Sequence, residues 1–249
     1  MDRFTISPEF ATASTIITAA LATYLAVGEP WLGRRMFASL KARRDSEPQA
    51  LIRYYLLGVA CWAGFAALAL LAFALSDGFA AADLGFGAPE QPGYAVFFGA
   101  LFVVLALATG RSFHKMAVEG KHVPGLDTLD AMLPRTERER RYAAGMAVAS
   151  GICAELVYRG LLIAFGVGVL GLNLYVAAGI SLVIYAAAGW YQGGKGVLLF
   201  GLYGGLMTGL YLVTGSLAVP IVANVALALR DLVLIPVVAG GRSAAPRTV

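Results

Sequence analysis

The chain has 249 residues, 59% of them hydrophobic and 14% charged, with a formal net charge of +4 and a mean hydropathy of +0.75. Soluble domains carry roughly 25% charged residues, so this composition excludes an ordinary water-soluble domain and indicates a multi-pass membrane protein. The positive balance does not indicate nucleic acid, because the bases fall in short segments between apolar spans.

Apolar stretches of about 20 residues lie near 10–28, 54–76, 93–111, 143–165, 169–189, 197–214 and 217–239. They predict an all-α, polytopic transmembrane bundle of seven spans in one domain, 1–249. An eighth span arises if the long fourth segment breaks near Gly166–Gly171. The first stretch follows a single Arg and has the look of a signal peptide. Small-x-small sites such as Ala20-Leu-Ala22 lie inside the apolar run, so it reads as an uncleaved first span.

After it, GEPWLGRRMFASLKARR interleaves bases with Trp31, Leu32, Met36, Phe37 and Leu40. This pattern suits a helix lying on anionic lipid at the interface, and a plain connecting loop equally. Bases crowd segments 29–53 and 111–142, whereas 76–92 holds Asp77, Asp83 and Glu90 and no base. Lys195, Arg242 and Arg247 join the basic side under strict alternation. The expected placement is the cell membrane, N-terminus outside and C-terminus cytoplasmic.

The polar stretch 112–141 ends in LPRTERERR, which reads as a solvated lead-in to the fourth span. Its His114 and His122 are eight residues apart and match no common metal motif. Cys61 and Cys153, in separate apolar runs, form no CxxC pair and read as packing thiols. In the sixth span Gly201, Gly205 and Gly209 make consecutive GxxxG steps, a stripe for close helix packing within or between chains.

The segment Gly151–Leu162, GICAELVYRGLL, places an acid and a base inside an apolar run. Such residues cost on the order of 2.5–3.5 kcal/mol each by insertion scales. Glu155 and Arg159 are four apart and share a helix face. They either neutralise each other as glue between helices or frame a polar pocket. Arg230 and Asp231 form a second charged pair in the last span, with Asn224 about two turns earlier.

CAELVYRG, YAAAGWYQGGKG and GLYLVTGSLAVPIVANVALALRDL together resemble the C-terminal half of the CPBP family. These are the CAAX-protease and bacteriocin-processing enzymes, also called Abi or type II CAAX endopeptidases. LPRTERERR and EPWLGRRMFASL are also similar to bacterial members, and the catalytic-like core spans about 133–239. The resemblance implies an all-helical intramembrane protease with the motifs Glu-Glu-x-x-x-Arg, Phe-x-x-x-His and His-x-x-x-Asn/Asp. In that chemistry two histidines and a polar residue surround a metal or water, and the leading Glu activates the water.

Carried over position by position, Glu155 and Arg159 match the second Glu and the Arg, and Tyr185 matches the aromatic. Ala154 stands at the leading Glu, Gly189 and Asn224 at the two histidines, and Ala228 at the Asn or Asp. Ala and Gly cannot ligate a metal or accept a proton, and Asn is a poor base. The expectation is therefore no catalytic metal and no peptide hydrolysis by the family mechanism. Glu155, Arg159, Gly189, Asn224, Arg230 and Asp231 remain as a polar membrane core.

That core persists either because unpairing a buried charge costs about 3–5 kcal/mol, or because the emptied site now takes a lipid, isoprenoid, pigment or partner helix. Gly189 in place of His would then widen the pocket. Strict alternation puts Gly189 near the cytoplasmic end of its span and Asn224 nearer the outer side, although the family site needs them to converge. The favoured reading is an inactive scaffold or subunit of a larger membrane complex, with membrane lipids and another membrane protein as partners. The alternative is a divergent active endopeptidase using Glu155. A transporter lacks the usual signs, since no broken helices or duplicated halves are visible.

Overall fold

The structure, a computed structural model, describes residues 4–89, 91–119, 121 and 130–235. His122, Arg242, Arg247 and Glu90 lie outside the described residues. The described residues form long helices and no strand: α1 Thr12–Arg43, α2 Ala50–Ala74, α3 Pro92–Val118, α4 Glu137–Gly168, α5 Leu174–Gln192, α6 Gly194–Thr214 and α7 Ala218–Leu229. The first six are long and apolar enough to cross a membrane, and α7 continues as a π-helical turn, Arg230–Leu234. The chain is a multi-pass helical membrane protein.

The break near Gly166–Gly171 adds no eighth span, because it is the turn between α4 and α5, with Gly171 at φ +64°. α1 does not stop at residue 28. It runs on through the basic-aromatic segment as one helix, so that segment is not a separate loop. Pro30 removes a backbone donor inside this helix, and the π turn Tyr24–Gly28 sits just before it. Likewise α3 extends past the apolar run, carrying Arg111, His114 and Lys115 on helix rather than in a loop.

α4 is the axle of the bundle: 72% of its apolar window is buried, against 11–33% for the other spans. It touches α2 along most of its length, α7 on another side and α5 near its end. Glycine permits the closest of these approaches, since a Cβ on Gly151 would lie 2.6 Å from the Val225 side chain and 3.0 Å from its backbone nitrogen. That contact draws α7 against α4 one turn from Glu155.

One end of the bundle is closed by chain segments rather than helices. The extended stretch before α1 is pinned to the α2–α3 loop by Ser7 N–H to Asp83 Oδ1 (3.0 Å), Glu9 N–H to Gly78 O (3.1 Å) and Ala11 N–H to Ser76 Oγ (3.1 Å). Phe10 packs on Phe79 with ring centres 4.7 Å apart. Leu84 is fully buried, and the loop's Gly85 carbonyl accepts from Leu217 N–H, which ties it to the start of α7.

The opposite end gathers the two basic segments, and here LPRTERERR is a lead-in solvated at residues 135–138 and 141 but not at Glu139. Glu139 is 3% exposed and Arg44 6%. Arg44 donates through both Nη atoms to the Glu139 carboxylate (2.9 and 3.1 Å) and through Nη2 to Leu133 O. Glu139 also accepts from the backbone of Arg135 (2.7 Å) and Thr136 (3.2 Å), closing a capping box at the start of α4. Tyr55 donates to Met132 O, and Arg135 pairs with Asp45 at 2.6 Å on the rim.

Candidate functional site

In α4 a π segment, Leu156–Leu162, directly follows Glu155, and regular α-helix resumes at Ile163. Such segments are rare and recur at functional sites. Glu155 and Arg159 are 0% and 1% exposed, so the pair is sealed from solvent. Each nitrogen of the Arg159 guanidinium donates once: Nη1 to Glu155 Oε1 (3.3 Å), Nε to Thr208 Oγ1 (3.3 Å) and Nη2 to the Gly204 carbonyl (2.9 Å). Its flat face covers the Tyr185 ring at 4.4 Å. The side chain therefore ties α4 to α5 and α6.

Asn224 on α7 completes the cluster. Its Nδ2 donates to Glu155 Oε1 at 2.6 Å, and its Oδ1 accepts from the Tyr203 hydroxyl at 3.4 Å. Both donors to the carboxylate converge on Oε1, and Oε2 is buried with no partner among the described residues. An unpaired buried oxygen costs about 1–3 kcal/mol, which makes it the one under-satisfied atom of the cluster. Glu155, Arg159, Tyr185 and Asn224 are thus brought together, although Asn224 and Glu155 are 69 residues apart in sequence.

Other sequence-derived candidates lie elsewhere. Gly189 ends the α-helical part of α5, buried against the start of α6, where a Cβ would be 2.6 Å from the Gly196 carbonyl and 2.8 Å from Phe200. The absence of a side chain here does not widen a pocket; the neighbouring backbone has closed into the space. Arg230 pairs with the adjacent Asp231 at 2.7 Å and donates to Thr109 Oγ1 on α3 at 3.1 Å, apart from the hydrogen-bonded cluster. Ala154 is buried and Ala228 half-buried.

The glycine stripe is not the tight seam of α6. A Cβ on Gly209 would meet nothing within 4 Å, and on Gly201 or Gly205 only an ordinary contact at 3.7 or 3.9 Å. Gly204, beside the stripe, makes the close approach, 2.5 Å from the Tyr185 ring. Thr208, Tyr203 and the Gly204 carbonyl are functional contacts that the sequence did not single out.

As a metal site the cluster does not fit. Among the described residues no group of three or more His, Cys, Asp or Glu is placed to hold an ion. The polar atoms near Glu155 are a guanidinium, an amide and hydroxyls, of which the guanidinium repels a cation. The cysteines are half-buried, unpaired thiols. What the arrangement does chemically is hold one carboxylate and one guanidinium in a fixed geometry between four helices.

Comparison with known proteins finds one family similarity. Residues 140–229 match the family described as type II CAAX prenyl endopeptidase Rce1-like. The matched segment holds α4 from its first turn through α7, and with it Glu155, Arg159, Tyr185 and Asn224. No curated protein and no solved structure matches the chain. Over that segment the chain is similar to the type II CAAX endopeptidases, which is consistent with the resemblance read from the sequence motifs.

Proposed function

We propose that this CAAX-protease-like membrane protein works by binding, as a scaffold or subunit of a larger membrane complex, and does not hydrolyse peptide bonds by the family mechanism. The observation that carries this reading is the state of Arg159. Each of its three guanidinium nitrogens donates inside the protein, to Thr208, Glu155 and Gly204, within a network of 1% exposure or less at its charged centre. A hydrolytic site needs an open position for water and substrate and a base with access to it. Here the base position is Ala154, and the Gly189 space is occupied by backbone. The orientation that accompanies the reading puts the Arg44–Glu139 end in the cytoplasm.

One observation favours the second reading, a divergent endopeptidase: Glu155 Oε2 has no partner among the described residues and is the atom that would hold a water. The experiment that separates the two is purification in mild detergent, followed by metal analysis and incubation with a prenylated CAAX peptide. The expected result is no stoichiometric metal and no cleavage, with wild type indistinguishable from Glu155→Ala. About one metal per chain together with cleavage, both lost in Glu155→Ala, would overturn the binding reading.

A further inference from the structure

A further ionisable residue, at the end of the first apolar run, lies outside the Glu155 cluster. Glu29 follows the π turn of α1, and its Oε2 accepts from the Tyr158 hydroxyl at 2.7 Å. Tyr158 belongs to the π segment of α4, so the irregular turns of two helices meet at this carboxylate. Among the described residues Glu29 forms no ion pair, unlike Glu155, which has Arg159. A carboxylate at this depth is expensive unless something positive reaches it.

The tyrosine that donates to it belongs to a half-buried aromatic cluster. Trp62 lies edge-on to Tyr158 (6.3 Å between ring centres) and to Phe65 (5.8 Å), and Phe65 contacts Tyr24 (5.5 Å). Tyr24, Trp62, Phe65 and Glu29 itself are all half-buried, and Val27 beside them is 69% exposed. The ring faces carry negative potential and draw cations. A carboxylate with one hydrogen bond, from a tyrosine that belongs to an aromatic cluster, is therefore complementary to a positive group that still has N–H donors.

The level of the site indicates where that group comes from. Two residues beyond Glu29, Trp31 is 57% exposed, and the Arg35 guanidinium stacks on its ring at 3.7 Å. Exposed Trp and Arg mark the depth at which a helix meets the headgroups. Glu29 is thus within about one helical turn, 5.4 Å of rise, of the layer that holds lipid amines.

We propose that Glu29, with Tyr158, Tyr24, Trp62 and Phe65, forms a site for the primary ammonium of an aminophospholipid such as phosphatidylethanolamine, entered from the side between α1 and α2. This site is independent of the proposed loss of hydrolysis, because its readout is bound lipid and not peptide cleavage. A choline headgroup carries the same charge but no N–H, and it cannot donate to the carboxylate.

The test uses the full chain in nanodiscs containing phosphatidylethanolamine, its N-methyl and N,N-dimethyl forms, or phosphatidylcholine, with retained lipid read by native mass spectrometry. Retention should fall stepwise with methylation, by about tenfold across the series, as expected for loss of a charge-assisted hydrogen bond. Glu29→Gln should flatten the series, and Trp62→Leu should weaken retention of phosphatidylethanolamine with the carboxylate intact. If Glu29→Gln does not fold, the wild-type series still decides. A flat wild-type series overturns the proposal, as does an unchanged series in folded Glu29→Gln. So does a stoichiometric protein partner that replaces lipid at Glu29.

Discussion

Asn224 lies 2.6 Å from Glu155, donating across the α4–α7 contact to the same carboxylate oxygen that Arg159 reaches. At a position where the resemblance to the CAAX endopeptidases implies a histidine, this chain has a neutral amide that donates to a buried carboxylate. Asn224→Ala should therefore destabilise the protein by about 1–3 kcal/mol, read as a lower midpoint of thermal unfolding in detergent. Asn224→Asp should be worse, because it sets a second carboxylate against Glu155.

The Glu155–Arg159 pair should behave as a unit. Glu155→Leu or Arg159→Met alone leaves an uncompensated buried charge and should cost about 3–5 kcal/mol. The double variant should recover a large part of that loss, since both charges then leave the core together. A double-mutant cycle on unfolding measures the coupling directly. Additive losses would show that the two groups do not depend on each other.

Restoring the family's catalytic side chains should not restore a site. Gly189→His has to displace the Gly196 carbonyl and Phe200, which stand 2.6 and 2.8 Å from where its Cβ would sit. Overpacking of this kind costs about 1–3 kcal/mol or more. The quadruple variant Ala154→Glu, Gly189→His, Asn224→His and Ala228→Asn is expected to unfold at lower temperature and to bind no zinc, as checked by metal content after dialysis. Gly209→Ala, with nothing within 4 Å, should leave the unfolding midpoint unchanged.

At the basic end, Arg44→Met should expose the segment around residue 130 to protease, because Glu139 loses its buried partner and Leu133 its donor. The cost is about 3–5 kcal/mol. The rim pair Arg135–Asp45 is a contrast: the Arg135 hydrogen bond holds the Asp45 carboxyl below the usual carboxylate range. Its contribution is present above the unfolded-state value and is lost only as pH falls through the lowered folded value. Asp45→Asn should therefore change stability little at neutral pH, and the difference from wild type should vanish in acid, as followed by unfolding midpoints at a series of pH values.

The sequence disclosed the features that depend on local composition: the helical spans, the charged pair inside α4 and the family motifs around it. It missed what depends on distant partners. Glu139 looked solvated because it stands in a charge run, and its partner Arg44 is 95 residues away. Gly189 looked like an enlarged pocket because a missing side chain says nothing about the backbone that moves in. Gly201, Gly205 and Gly209 formed the regular stripe, yet the close approach is at Gly204 beside it. Glu29 had a readable signal, an acid ending the first apolar run just before Pro30, but its partner Tyr158 lies 129 residues on.

That last separation bears on how the protein is made. Glu29 and Arg44 both emerge before α4, and their side-chain partners Tyr158 and Glu139 both lie on it. At roughly 5–20 residues per second, each waits on the order of ten seconds in the bilayer or its surface without its partner. α1 is thus inserted before it has a settled resting place. The arrival of α4 is the event that locks the amino-terminal half, so a chain stalled before Glu139 should be an early substrate for membrane quality control.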